Sequence, residues 1–511
     1  MRESEQTAVQ DFEYGENIDQ DEQNESGFKD FLDNTTLHGA RYLNEKHFLR
    51  KLIWALFLIA AFSVCGFQTF KCFSAYYERP FSTVMMKKRV PELDFPAITI
   101  CNLNALSKNQ YVKIQRMFKD NRTDDVIVKE IEELLNIMGS LHQGGNISRE
   151  DQEYLQKFFD PAYELRTKIL YDALINYSHQ IEGILSMQWF GPCKWQGQPC
   201  NATNFTHIID LKMGKCYTFK SNLKSSLVGP NNGLRLRLNL EESDHVRNAY
   251  VPMSGFKVVI HDRWEYPFPD EEGFALQPGS HAYCSIRQKK IINLPHPYET
   301  KCNKRSNYFS DHFNLPYSLS ACIKQCLYDY GMEKCNCQPL FKFKENEEFC
   351  SVKDVFECIY PKFYGQALPD KVAKCANSCP EACSYTKYDA KLSYANAVGN
   401  AFSQSLPPVT SKGAKSESYK RLLNLTVEKR EKYFRENVVS LDVYYEELSY
   451  DQIEQKPAFD DWALIGNIGG YLGLFLGMSL LTVAELCDFM MTSLLRFCKQ
   501  KQKVFSGSTN R

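Results

Sequence analysis

The residues most able to do chemistry lie in one apolar stretch near the C-terminus. It reads GGYLGLFLGMSLLTVAEL over 469–486, and the run Leu464–Phe489 carries two carboxylates, Glu485 and Asp488. At ~1.5 Å of rise per residue this run is long enough to cross a bilayer with some tilt or a break. A carboxylate inside a span costs roughly 2.5 kcal/mol or more unless water or a partner faces it, so it commonly marks an ion path. Gly469, Gly473 and Gly477 recur every four residues, a stripe along which helix backbones can approach closely. Gly477-Met478-Ser479 then interrupts the helix-forming run, and in an unbroken helix Glu485 would share the azimuth of Met478. Two readings fit these residues. One is a pore lining with wet acids; the other is a glycine-packed anchor whose acids have reached the cytoplasmic interface.

Positioning such a stretch takes a membrane topology, and the chain supplies one. Leu52–Phe70 is a second apolar run, too far from the N-terminus for a cleaved signal peptide. Arg41, Lys46, Arg50 and Lys51 precede it, while Arg496, Lys499, Lys501 and Lys503 follow the last run. By the positive-inside rule both termini are cytosolic. The organisation expected is a cytosolic segment 1–50, a first transmembrane helix 51–71, an extracellular domain 72–461, a pore-lining helix 462–492 and a cytosolic tail 493–511. Fifteen of the nineteen cysteines fall between Cys101 and Cys383, a density suited to an oxidising compartment. Glycosylation triplets cluster in the same region, at Asn121, Asn146, Asn176, Asn201, Asn204 and Asn424. A net charge of −1 and a pI near 6.8 argue against a nucleic-acid partner steered by bulk charge.

Along the chain, residues 1–33 are acidic and polar, and His38-Gly39 stands between them and the first span. FSAYYERPFSTVMMKKR alternates like a strand, and the β-branched run FPAITICN (95–102) reads as a buried strand. Residues 107–188 carry helical periodicity, as in VIVKEIEELLNIM. Strand character returns from Cys193 to Leu294, clearest in LRLRLNL, and CKWQGQPC is short enough to close its own disulfide loop. Cys322 and Cys326 lie four apart on one helical face, and Cys375, Cys379 and Cys383 are again four apart, which suits a ladder of bridges between two antiparallel segments. Zinc is the competing account of that spacing. It is disfavoured because the region is extracellular and lacks the tight two-knuckle pattern with histidines. Residues 411–436 read as a charged helix, and ENVVSLDVYYEELSYDQIEQ as a strand returning to the membrane. No Gly-rich phosphate loop, nucleophile elbow or metal-site histidine pair appears, so neither an enzyme nor a metal site is expected.

Taken in order, His38-Gly39, FPAITICN, GKCYTF (214–219), the cysteines 322–383 and GGYLGLFLGMSLLTVAEL resemble the degenerin/epithelial sodium channel/acid-sensing ion channel family. The resemblance spans His38 to Asp488. It implies an α+β fold: two transmembrane helices and a large disulfide-rich extracellular domain, with a β-sheet core, peripheral helices, a finger near 105–190 and a thumb near 318–385. It also implies a homotrimer or heterotrimer with related subunits in the plasma membrane, and an amiloride-type pore blocker. The disulfides implied are Cys101–Cys216, Cys193–Cys200, Cys302–Cys383, Cys322–Cys379, Cys326–Cys375, Cys335–Cys358 and Cys337–Cys350, with Cys284 left free. Gly477-Met478-Ser479 matches the family's small-x-Ser selectivity filter. There, oxygens of the protein replace waters around a permeant sodium ion, the only non-protein component expected. Glu485 and Asp488 would form acidic rings, and His38-Gly39 matches the gating motif. Tyr298, following Pro297, takes the place of an aromatic that couples to Tyr76 or Tyr77 at the wrist.

The stimulus is read from absences. Proton-gated relatives carry histidines just after the first span, and Tyr76-Tyr77-Glu78-Arg79-Pro80 has none. Asp120, Asp124 and Asp125 read as a solvated face. The outer sequence looks closer to peptide-gated and bile-acid-sensitive relatives than to the acid sensors, and the expectation is an extracellular ligand-gated, sodium-selective cation channel opened by a neuropeptide. The alternatives are proton gating, constitutive activity, or a non-conducting two-span receptor.

Overall fold

The computed structural model describes residues 29–117, 123–142, 148–158, 176–187, 191–210, 213–247, 253–304, 314–337, 368–404 and 424–507, together with 358 and 422. The architecture is α+β, and the chain divides into two units. One is Thr83–Gln455, and the other joins Met1–Ser82 to Lys456–Arg511.

Alternating sequences build the larger unit. Leu234, Leu236 and Leu238 of LRLRLNL take one face of their strand and are fully buried, while Arg235 and Arg237 take the other. That strand, Leu234–Asn239, belongs to a seven-stranded sheet. Its order is Ser384–Asn396, Ser280–Ile292, Val438–Pro457, Leu234–Asn239, Cys193–Trp195 and Gln198–Pro199, with Phe81–Arg89 also pairing to Val438–Pro457. A five-stranded sheet runs Phe274–Leu276, Phe256–His261, Ala97–Asn102, Gly214–Phe219 and Phe205–Asp210. Ile98, Ile100, Phe256 and Val258 from this sheet share one core with Leu234, Leu236, Val439 and Leu441 from the other. Each such side chain contributes about 1.5–3 kcal/mol on burial. The register places Cys101 directly opposite Cys216, where a bridge closes without moving either strand.

Helices also belong to this unit. Lys108–Met117, Asp124–His142 and Arg149–Phe158 occupy the stretch whose periodicity predicts helix. Leu319–Cys335 begins with Ser318 capping the Ala321 amide, and bridges Cys322–Cys379 and Cys326–Cys375 tie it to Leu368–Ser378. Cys193–Cys200, Cys302–Cys383 and Cys335–Cys358 are also closed. These are six of the seven pairs implied by the family resemblance. Cys337 is disulfide-bonded as well, while Cys350 lies outside the described residues. Cys284 is free and buried. Asn176, Asn201, Asn204 and Asn424 are exposed, whereas Asn121 and Asn146 lie outside the described residues.

In the smaller unit, the first apolar helix, α1, spans Phe48–Tyr77, longer at both ends than the 51–71 read from hydropathy. FSAYY is therefore helical rather than strand-like, and the strand begins at Phe81. The helix-forming run simply continues until Arg79, at φ 50°, and Pro80 end it. The last apolar stretch forms two helices, α2 (Asp461–Leu476) and α3 (Leu480–Gly507), bent by 78° at the intervening residues. The charged helix expected over 411–436 is Val427–Asn437, and 405–421 lie outside the described residues.

Candidate ion-conduction site

The bend between α2 and α3 follows from three residue types. Gly477 adopts the left-handed conformation, φ 63°, which a glycine enters without penalty. Its N–H donates to Gly473 O at 3.0 Å and the Met478 N–H to Leu472 O at 3.1 Å, the bonding pattern that closes a helix on a glycine. Ser479 then starts α3. Its hydroxyl accepts from the Thr482 amide at 3.2 Å, and the Thr482 hydroxyl accepts from the Ser479 amide at 3.1 Å. This reciprocal cap satisfies two of the amides a new helix leaves open. Stop and start signals stand side by side, so Gly477-Met478-Ser479 stays non-helical by its own chemistry.

A segment far away in sequence secures the bend. The His38 amide donates to Leu476 O at 3.3 Å, and the His38 ring lies where a side chain on residue 477 would have to go. The Thr36 hydroxyl is 2.6 Å from the hydroxyl of Thr482, which is fully buried. Glu485 accepts from the Thr36 amide and hydroxyl, each at 3.1 Å, and from the Thr35 hydroxyl at 3.5 Å. Phe31 stacks on Phe489 at 4.4 Å. Gly39, at φ 85°, has Trp54 3.2 Å from where a Cβ would sit, and Tyr42 stacks on Trp54 at 4.3 Å. His38 and the 477–479 break therefore meet. Thr35, Thr36 and Thr482 were missed. The only signal in the sequence is that the threonine pair immediately precedes His38 but for one leucine.

The two acids differ. Glu485 is half-buried and held by threonines, whereas Asp488 is exposed. Of the stripe Gly469, Gly473 and Gly477 only Gly469 is open within the chain: Met478 O lies 3.9 Å from a Cβ on Gly473 and the His38 ring fills that place at Gly477, whereas Gly466 and Gly470, outside the stripe, have no other described group within 4 Å. At the other end of α1, the Tyr76 hydroxyl donates to Asp461 at 2.6 Å, Arg79 lies 4.1 Å from the Tyr76 ring, and Tyr77 meets Tyr76 edge-on. Tyr298 belongs to the larger unit, in the turn after Pro295.

The larger unit carries titratable groups of its own. Burial, with Glu272 and Asp262 nearby, pushes the Glu265 carboxyl up to about 7, opposed in part by Lys387. Burial and Glu271 likewise raise Glu272. Asp124 is exposed and ion-paired to Arg116, as expected of a solvated face, and Asp120 lies outside the described residues.

Comparison with known proteins gives the family. Residues 31–489 match the family model described as amiloride-sensitive sodium channel. Acid-sensing ion channel 1A of Danio rerio is 29% identical over 494 residues, covering 93% of this chain and 89% of that protein. Acid-sensing ion channel 2 of Rattus norvegicus is 28% identical over 486 residues, covering 91% and 86%. Acid-sensing ion channel 1 of Gallus gallus is 27% identical over 486 residues, covering 90% and 82%. The chain thus belongs to the amiloride-sensitive sodium channel family, whose members are trimeric plasma-membrane ion channels and not enzymes.

Proposed function

We propose that Gly477-Met478-Ser479 is the selectivity filter of this sodium channel, with Asp488 and Glu485 as its acidic lining and His38-Gly39 as the gating motif beside it. The observation that carries this reading is the pair of abutting helix caps, which leaves the three residues non-helical. In three copies about an axis, hydroxyls and carbonyls of this segment would exchange for waters around sodium. The open glycine face of α2 suits close approach between copies, identical or related. Both termini are then cytosolic, 72–461 is extracellular with its finger near 105–190 and thumb near 318–385, and an amiloride-type blocker acts in the pore. Tyr76, Tyr77 and Tyr298 couple the extracellular domain to it.

For the stimulus, an extracellular peptide is the first reading, because the residues after α1 carry no histidine. Acid is the second. It is supported by Glu265, which titrates about neutral pH, and by relatives named acid-sensing. Expression of the chain alone and with related subunits, under peptide panels and acid steps, separates the two. A peptide-evoked sodium current supports the first reading. A current evoked by acid and shifted by Glu265→Gln supports the second. Absence of current under every stimulus and subunit combination would make the chain a non-conducting receptor.

A further inference from the structure

The larger unit holds a group of side chains that conduction does not use. His179 is 2% exposed, and among the described residues neither of its ring nitrogens has a hydrogen-bond partner. A buried imidazole left so carries an uncompensated desolvation cost. Its Nδ1 faces two carboxylates, with Glu241 Oε2 at 3.8 Å and Asp244 Oδ2 at 3.9 Å. These distances are too long for hydrogen bonds, yet the three atoms all lie within 4.8 Å of one another. Glu242 adds a third acid, paired at 3.3 Å with His245, whose ring lies edge-on to His179 at 5.2 Å. Among the described residues, no lysine or arginine forms an ion pair with Glu241, Glu242 or Asp244.

Asp442 in the same unit shows what a balanced arrangement looks like. That carboxylate is fully buried, and it receives Arg235 Nε at 2.8 Å and His281 Nε2 at 3.1 Å. The group around His179 has acids and imidazoles in similar density without a fixed cation.

We infer that His179, Glu241 and Asp244 bind a zinc-class divalent cation through one imidazole nitrogen and two carboxylate oxygens. Around zinc, bonds of about 2.0–2.2 Å at tetrahedral angles set ligand atoms ~3.4 Å apart, so each carboxylate oxygen must approach the imidazole nitrogen by about half an ångström from its present 3.8 or 3.9 Å. The imidazole selects zinc over calcium or magnesium, which prefer all-oxygen shells. Outer contacts already orient the ligands. Asp244 accepts from the Ser107 hydroxyl and, at 2.8 Å, from the Asn109 amide. Glu241 is held at φ 56°, an uncommon conformation for a side chain of its kind, at the entry to the short helix Glu242–Asp244. Gly183, on the helix Ile181–Ile184, makes room for it: a Cβ there would lie 2.6 Å from Glu241 Oε2. A bound ion would cross-link the segment before that helix to the turn after the strand Leu234–Asn239. Glu241 and Asp244 lie three residues apart, but His179 stands 62 residues before Glu241, so no compact spacing motif announces the group.

The test uses full-length channel purified in detergent, stripped with chelator and re-equilibrated with zinc chloride alone. One zinc per chain is expected by elemental analysis, with X-ray absorption showing nitrogen and oxygen ligands only. His179→Ala should lose the ion. Gly183→Ala, which favours its helix and displaces only the Glu241 carboxylate, should weaken binding at least ~tenfold with unchanged thermal unfolding. No binding by the unaltered chain, full binding by either variant, or sulfur in the ligand shell overturns the proposal. If His179→Ala does not fold, Gly183→Ala decides.

Discussion

Leu234, Leu236, Val439 and Leu441 hold the larger unit together by leaving water, and bridges such as Cys101–Cys216 pin strands already in register. The bend at Gly477-Met478-Ser479 is built differently. It is held by backbone caps, three threonine hydroxyls and one histidine ring, with the Phe31–Phe489 stack and buried Leu476 as its apolar part. The sheets tolerate conservative apolar exchange because burial is non-directional. Hydrogen bonds are directional, so the bend should fail when one atom is misplaced. A filter that must present oxygens at fixed positions needs the second kind of construction.

Three substitutions sharpen or break this contrast, taken from the largest effect down. Replacing Cys101 and Cys216 with serine should destabilise the larger unit by about 2–5 kcal/mol, seen as a lower unfolding temperature of the purified channel. Any channels that still reach the surface should keep their ion selectivity. Gly477→Ala should cost roughly 1–2 kcal/mol in backbone strain and push the His38 ring aside. Currents should be lost or strongly reduced while surface expression and unfolding of the larger unit stay normal. Altered unfolding there would mean the two constructions are not separate. Thr482→Val keeps the shape and removes the bonds to Ser479 and Thr36, about 1 kcal/mol, and should show as faster or less complete gating.

A fourth prediction, standing outside that order, concerns pH. Glu265 has a raised carboxyl, so the folded unit binds more protons than the unfolded chain between the ordinary carboxylate value of 4.5 and about 7. Its contribution to stability is fully present below that window and is lost as pH rises through it. Glu265→Gln should flatten the dependence of unfolding temperature on pH between those limits. An unchanged slope would exclude Glu265 as its source.

The contrast also governs what the sequence discloses. Alternation in LRLRLNL reports burial directly, because the period of a strand is the period of its exposure. Gly477 and Ser479 are legible as punctuation, since glycine ends helices and serine begins them. The bridges needed the family resemblance, because spacing alone leaves many pairings open. The grip of Thr35 and Thr36 on Glu485 was hidden: it joins residues 449 and 450 apart, and nothing local in either segment requires the other. FSAYY misled because its aromatic alternation imitates a strand, while the real determinant was an apolar helix already under way.

The central claim is that the three residues between the two caps meet the permeating ion. Reversal potentials in sodium and potassium solutions, recorded for Ser479→Ala, Ser479→Val and the unaltered channel, test it most directly. The account expects both substitutions to shift the sodium-to-potassium permeability ratio, valine more than alanine, at normal surface expression. Identical permeability ratios and conductance in all three would contradict it.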